Sequence, residues 1–70
     1  MKELYAVRII FENGTEITFD SDRPLELEEG LNRICTLSKN ELIINSRYVV
    51  CVGQQHLTLT EEGYKNRCKL

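Results

Sequence analysis

Tryptophan is absent from this chain, proline occurs once at Pro24, histidine once at His56, and the four glycines stand apart at Gly14, Gly30, Gly53 and Gly63. Isolated glycines offer no phosphate-cradling loop, which needs several backbone N–H groups gathered at one glycine-rich turn. A lone histidine, with no serine or cysteine at a spacing that makes a nucleophile-base pair, argues against hydrolytic chemistry. Neither charge sign dominates: nine Lys and Arg against eleven Asp and Glu leave a net charge of −2 and a pI near 5.3. That balance supplies no general pull toward nucleic acid or an anionic membrane. Apolar runs fall short of the ~18 residues a membrane span requires, and Met1-Lys2-Glu3-Leu4 sets an acid where a signal peptide would be apolar. The expectation is a cytoplasmic protein.

Cysteine is sparse and odd in number, at Cys35, Cys51 and Cys68. A secreted disulfide scaffold uses an even set, and a zinc site usually shows close C-x-x-C pairs. With His56 the three compose a Cys3His set on paper, yet no member sits at ligand spacing. The thiols are therefore expected to be buried as small apolar groups, with no metal or other cofactor.

What is present is hydrophobic alternation. Tyr5-Ala6-Val7-Arg8-Ile9-Ile10-Phe11 and Thr15-Glu16-Ile17-Thr18-Phe19 flank Asn13-Gly14, the sequence signal for a β-hairpin. A two-residue loop would set Ile9 opposite Thr18 and send the two apolar sets to opposite faces. A three-residue loop, Glu12-Asn13-Gly14 with Gly14 left-handed, sets Val7 opposite Phe19, Ile9 opposite Ile17 and Phe11 opposite Thr15. One face then collects Val7, Ile9, Phe11, Ile17 and Phe19, so the longer loop is expected.

Asp20-Ser21-Asp22-Arg23-Pro24 ends the hairpin with a cap-like start. Over Leu25–Lys39, acids lead (Glu26, Glu28, Glu29) and bases follow (Arg33, Lys39), while Leu27, Leu31, Ile34 and Cys35 share a helical stripe. The pattern predicts a helix. Two features oppose it: Gly30 costs about 1 kcal/mol in a helix interior, and Leu25-Glu26-Leu27-Glu28 alternates like a strand, so an extended start with a helix from about Glu28 is the second form. Leu42-Ile43-Ile44 and Tyr48-Val49-Val50-Cys51-Val52 read as strands, the latter apolar on both faces like a central one. Gly53-Gln54-Gln55 reads as a turn before a last strand His56–Thr60, and residues 65–70 as a flexible tail or one helical turn capped by Thr60.

Seventy residues make a single domain near the size where burial only just outweighs chain entropy, so a marginal core or an oligomer is expected. The elements imply an α+β fold: a small antiparallel sheet, the N-terminal hairpin plus two or three later strands, packed against one helix. A β-grasp-like mixed sheet and a small SH3-like barrel keep the same elements.

Ile9-Ile10-Phe11-Glu12-Asn13-Gly14 with Ile17-Thr18-Phe19, and later Leu42-Ile43-Ile44-Asn45-Ser46-Arg47-Tyr48-Val49-Val50, resemble small uncharacterised proteins of phages and prophages of Gram-positive bacteria. The resemblance covers roughly residues 4–52 and implies a hairpin, a short helical middle and a strand pair, with no activity or site residues. Leu57-Thr58-Leu59-Thr60-Glu61-Glu62-Gly63-Tyr64 is similar to the L-T-x-x-G piece that closes the wing of winged-helix regulators.

No catalytic set emerges, and the expected role is non-enzymatic contact with protein: a homodimer or a complex with a host protein. The contact residues expected are Tyr48 and Val50, with Glu26, Glu28 and Glu29 as an acidic rim. The alternative is a nucleic-acid-associated regulator using the basic tail, Lys65, Arg67 and Lys69, with Tyr64 stacking on bases.

Overall fold

The computed structural model describes residues 1–68. Along the chain lie β1 (Lys2–Phe11), β2 (Glu16–Ser21), β3 (Leu31–Cys35), β4 (Glu41–Asn45), a 3-10 turn (Ser46–Tyr48), β5 (Val49–Leu59) and α1 (Glu61–Cys68). One sheet has the order β2-β1-β5, a second pairs β3 with β4, and every pair is antiparallel. The fold is α+β, as the patterning implies. Among the described strands no mixed sheet forms, and the two sheets do not close into a barrel.

The first hairpin has the three-residue loop. Val7 lies opposite Phe19 and Ile9 opposite Ile17. Phe11 N–H donates to Thr15 O at 2.9 Å, Gly14 N–H donates to Phe11 O at 2.9 Å, and Gly14 takes φ of 86°. The β3–β4 hairpin repeats this geometry at Leu37-Ser38-Lys39. Thr36 N–H donates to Asn40 O at 2.9 Å and Lys39 N–H to Thr36 O at 3.0 Å, but here the left-handed position, φ 66°, carries a lysine. A side chain at that position costs roughly 1 kcal/mol or more. Lys39→Gly should accordingly stabilise the fold by about 0.5–1 kcal/mol, read as a thermal midpoint higher by about 2–8 °C for a domain of this size. An unchanged or lower midpoint would show that Lys39 is unstrained.

No helix forms over Leu25–Lys39. Residues 24–28 lie in neither helix nor strand, Gly30 sits at φ 95°, and β3 follows. Both objections to a helix prevail: the left-handed Gly30 breaks helical geometry, and the two-residue period of Leu25 and Leu27, half-buried between exposed Glu26 and Glu28, resumes with its phase shifted by one at the Gly30 bend, as buried Asn32 and Ile34 between exposed Leu31, Arg33 and Cys35. Leu31, placed by the helical reading on the inner stripe, is 74% exposed. Asn32 holds the bend. Its Oδ1 accepts from Glu28 N–H at 2.7 Å and its Nδ2 donates to Glu28 O and Gly30 O, both at 2.9 Å, so a nearly buried amide meets the backbone groups left open there.

The turn expected at Gly53-Gln54-Gln55 is also absent. These residues continue β5 straight along the ten-residue β1, pairing Gly53 with Arg8, Gln54 with Val7 and Gln55 with Ala6. A lone glycine without proline or asparagine beside it leaves the strand intact when a long neighbour templates it. Of Tyr48–Val52, which reads as a central strand, Tyr48 ends the 3-10 turn and Val49–Val52 lie in an edge strand, and β1 is central.

The core forms between the sheets. Val7 and Ile9 of β1 meet Ile34 of β3 and Ile44 of β4, with Phe11, Ile17, Phe19, Leu25, Leu27 and Leu42 packed around them. The helix lies on the other face. There Leu4, fully buried, sits opposite Leu57, and α1 crosses with the Cβ direction of Gly63 3.8 Å from Leu59 Cβ. Thr60 caps this helix as expected: Gly63 N–H donates to its Oγ1 at 3.1 Å. At the far end Arg67 grips Asp20 with two bonds, Nε to Oδ2 at 2.8 Å and Nη2 to Oδ1 at 2.6 Å. The Asp20 side chain is 15% exposed and that of Arg67 36%, so solvent weakens the pair only in part. Arg67→Ala should cost about 1–2 kcal/mol and release the helix, reducing the helical far-UV signal before the sheet melts. Simultaneous loss of both signals would mean that α1 and the sheet melt as one unit.

Candidate functional site

β5 presents a long exposed strand edge. It has one hydrogen-bonded neighbour, β1, and its residues from Val50 to His56 are all exposed. Tyr48 is 50% exposed, Val50 66% and Val52 36%. Val50 stands out because the register slips here: Cys51 pairs with Ile10 and Val49 with Phe11, leaving Val50 as the extra residue of a β-bulge. Tyr48 closes this end of the strand, next to a hollow of about 320 Å³ shared with Phe11, Glu12, Asn13 and Thr15. The Arg47 guanidinium lies 6.0 Å from its ring centroid. Tyr48 and Val50, the expected contact residues, thus fall together on one exposed edge.

The pairing pattern shows which backbone groups this edge offers. Phe11 exchanges hydrogen bonds on its β2 side, through Thr15 and Gly14, while on the β5 side the bond skips to its neighbour, Glu12 N–H donating to Tyr48 O at 2.9 Å. Antiparallel alternation from that point turns the N–H and C=O groups of Cys51, Gly53, Gln55, Leu57 and Leu59 toward β1. Those of Val52, Gln54, His56 and Thr58 turn outward.

No formal charge interrupts β5: VVCVGQQHLTL contains neither acid, lysine, arginine nor proline, in a chain that is 29% charged. Edge strands normally carry such residues to discourage further pairing, and β5 has only its bulge. On its inner-sheet face His56 stacks on Tyr5, centroids 4.7 Å apart with planes 15° from parallel, and its Nε2 lies 3.5 Å from Glu3 Oε1. Gln54 uses its side chain inward: Oε1 accepts from Leu25 N–H at 2.7 Å and Nε2 donates to Leu25 O at 2.9 Å. The clamp ties the segment before β3 to β5, one residue from exposed Glu26.

Glu26, Glu28 and Glu29 are exposed, on that segment instead of a first helical turn, so no helix dipole accounts for them. The basic tail is divided. Arg67 is engaged by Asp20, which raises its guanidinium pKa above the ordinary value chiefly through the hydrogen bond. Tyr64 is half-buried with Lys2 Nζ 5.9 Å from its ring centroid, and burial raises its phenol pKa. Lys65 is exposed, and Lys69 lies outside the described residues. The cysteines are not the buried groups expected: Cys35 and Cys51 are exposed and Cys68 half-buried, because each falls on a strand face or helix side that no other element covers fully. Among the described residues no three His, Cys, Asp or Glu side chains gather where they would hold a metal ion.

A broad groove of about 850 Å³ opens between β2, the Thr36–Asn40 turn and the middle of β5. Its facing charged pair is Asp20 and Arg67, already bonded to each other through both carboxylate oxygens. The groove's one carboxylate is thus already engaged at both oxygens by a cation, and no orphaned buried side-chain polar atom among the described residues is there to orient a small ligand.

Sequence patterning alone misses Gln54 as an edge residue, because the lone Gly53 reads as a turn. The signal that reveals it is the run without formal charge from Val49 to Leu59, as long as its partner strand. No helix among the described residues is long and apolar enough to cross a membrane. Compared with family models, curated proteins and solved structures, the chain matches none, and its open strand edge stands as the site to be explained.

Proposed function

We propose that the protein is a small non-enzymatic interaction module, and that it binds another polypeptide along the outer edge of β5. One observation carries this reading: an eleven-residue edge strand, without formal charge and exposed along most of its length, that ends at exposed Val50 and Tyr48. Strand addition would satisfy the outward N–H and C=O groups of Val52, Gln54, His56 and Thr58, while the valines and Tyr48 supply apolar contact. Glu26, beside the Gln54 clamp, places acidic charge near the rim. The nucleic-acid reading has less to draw on, since Arg67 is already bound to Asp20.

A photo-crosslinking residue at Val50, introduced into the expressed protein, tests the surface. A protein adduct is expected, and it should vanish when Val52→Lys is added to block the edge. No adduct, or one indifferent to Val52→Lys, would contradict the proposal. A phage or prophage origin, with a host protein as the target, extends the resemblance of residues 4–52. Genomic position among phage replication or lysogeny genes would support it, and an operon of metabolic enzymes would oppose it.

A further inference from the structure

We infer that the strand which completes this edge is β5 of a second copy, running antiparallel in a register centred on Gln54. The inference rests on the proposed binding edge and names its occupant. Three independent features select it.

The first is the phase of the hydrogen bonds. In a two-fold antiparallel pair, outward-facing residues must meet outward-facing residues. Centring on Gln54 sets Gln54 against its own copy, Val52 against the partner's His56 and Val50 against the partner's Thr58. Val52, Gln54, His56 and Thr58 are the residues whose backbone groups face away from β1.

The second is length. Gln54 is the midpoint of Val49–Leu59, so this register alone pairs the whole strand, and any other residue-centred register leaves part of one edge open. It also brings exposed Cys51 and half-buried Val49 against the partner's half-buried Leu57 and Leu59, on the face that α1 covers incompletely.

The third is charge. Arg47 precedes the strand, and Glu61 and Glu62 follow it. The register that pairs the full strand also brings the 3-10 turn that carries Arg47 to the same end of the junction as the first turn of the partner's α1, which carries Glu61 and Glu62, once at each end of the two-fold pair. Among the described residues none of these three has an ion-pair partner within its own chain. Between its ends β5 itself carries no formal charge, and the acidic neighbour of its centre is Glu26, next to the Leu25 that Gln54 holds. The result is a continuous antiparallel sheet with three strands from each copy, β2-β1-β5 joined to its rotated equivalent. The sheet would keep apolar residues of both copies on the face that carries the core.

Sedimentation equilibrium of the full chain, across the micromolar range, tests occupant and register together. A dimer is expected. Arg47→Glu should weaken it about tenfold, since attraction becomes repulsion at both ends of the two-fold pair. Combining Arg47→Glu with Glu61→Arg and Glu62→Arg in one chain should restore it, because each reversed end then meets a reversed partner. Far-UV circular dichroism of each variant confirms that the fold is kept. A dimer indifferent to these reversals, or one that the triple variant fails to rescue, overturns the register. A wild-type monomer at high micromolar concentration overturns the self-pairing, and a Val50 adduct with another protein would then leave the binding edge itself standing.

Discussion

Ile9→Ala is expected to lower stability by about 3–4 kcal/mol, roughly a third or more of what a domain of this size has. Ile9 is fully buried in the central strand, and it is one of four residues that join the two sheets. A domain of seventy residues has roughly 4–10 kcal/mol in total, so one such cavity removes a large share. Nothing covers the loss, because the helix sits on the opposite face and contributes no buried residue. Ile43→Ala is the matched control: Ile43 is 64% exposed on the outer side of β4, and its truncation should cost less than about 0.5 kcal/mol. Urea melts followed by circular dichroism separate the two. Equal losses would mean that the β3–β4 hairpin presents its other face to the sheet.

Gly14→Val carries the second large effect, about 2 kcal/mol or more. Its φ of 86° lies where a side chain crowds the backbone, and a β-branched residue tolerates that region least. The surrounding space is irrelevant, since a Cβ there would meet nothing within 4 Å. Gly53→Val provides the contrast. Its Cβ would also meet nothing, but its backbone is that of an ordinary strand, where valine is favoured. Stability there should hold or rise slightly. If both variants melted alike, conformational strain would not be what distinguishes the two glycines.

How far these features were legible in the sequence depends on how many residues voted for each. At the first hairpin, five apolar side chains and a glycine all required the same register, and the structure has it. Over residues 25–39 two periods competed. The helical stripe uses Leu27, Leu31 and Ile34, whereas the strand period uses Leu25 and Leu27, and the charge order favours the helix. The decision came from Gly30, whose left-handed backbone starts β3, and from the need to cover Val7 and Ile9 with a second layer, which only tertiary packing reveals. The helix that does form rests on Thr60, its cap, and on the bond from Arg67 to Asp20 across 47 positions, which no local pattern can announce. At the candidate edge, Tyr48 and Val50 were legible as exposed apolar residues in a β-branched run. Their setting was not, because whether a strand is central or at an edge depends on where the rest of the chain goes.

The most direct measurement is residue-resolved amide hydrogen exchange of the wild-type protein at low and at high concentration. The N–H groups of Cys51, Gly53, Gln55 and Leu57 face β1 and should be protected at both. Those of Val52, Gln54, His56 and Thr58 should exchange quickly when dilute and slow markedly as concentration rises. Outward amides that remain fast at every concentration would contradict β5 pairing with its own copy, and a slow rate already present in dilute monomer would contradict the open edge on which the whole reading depends.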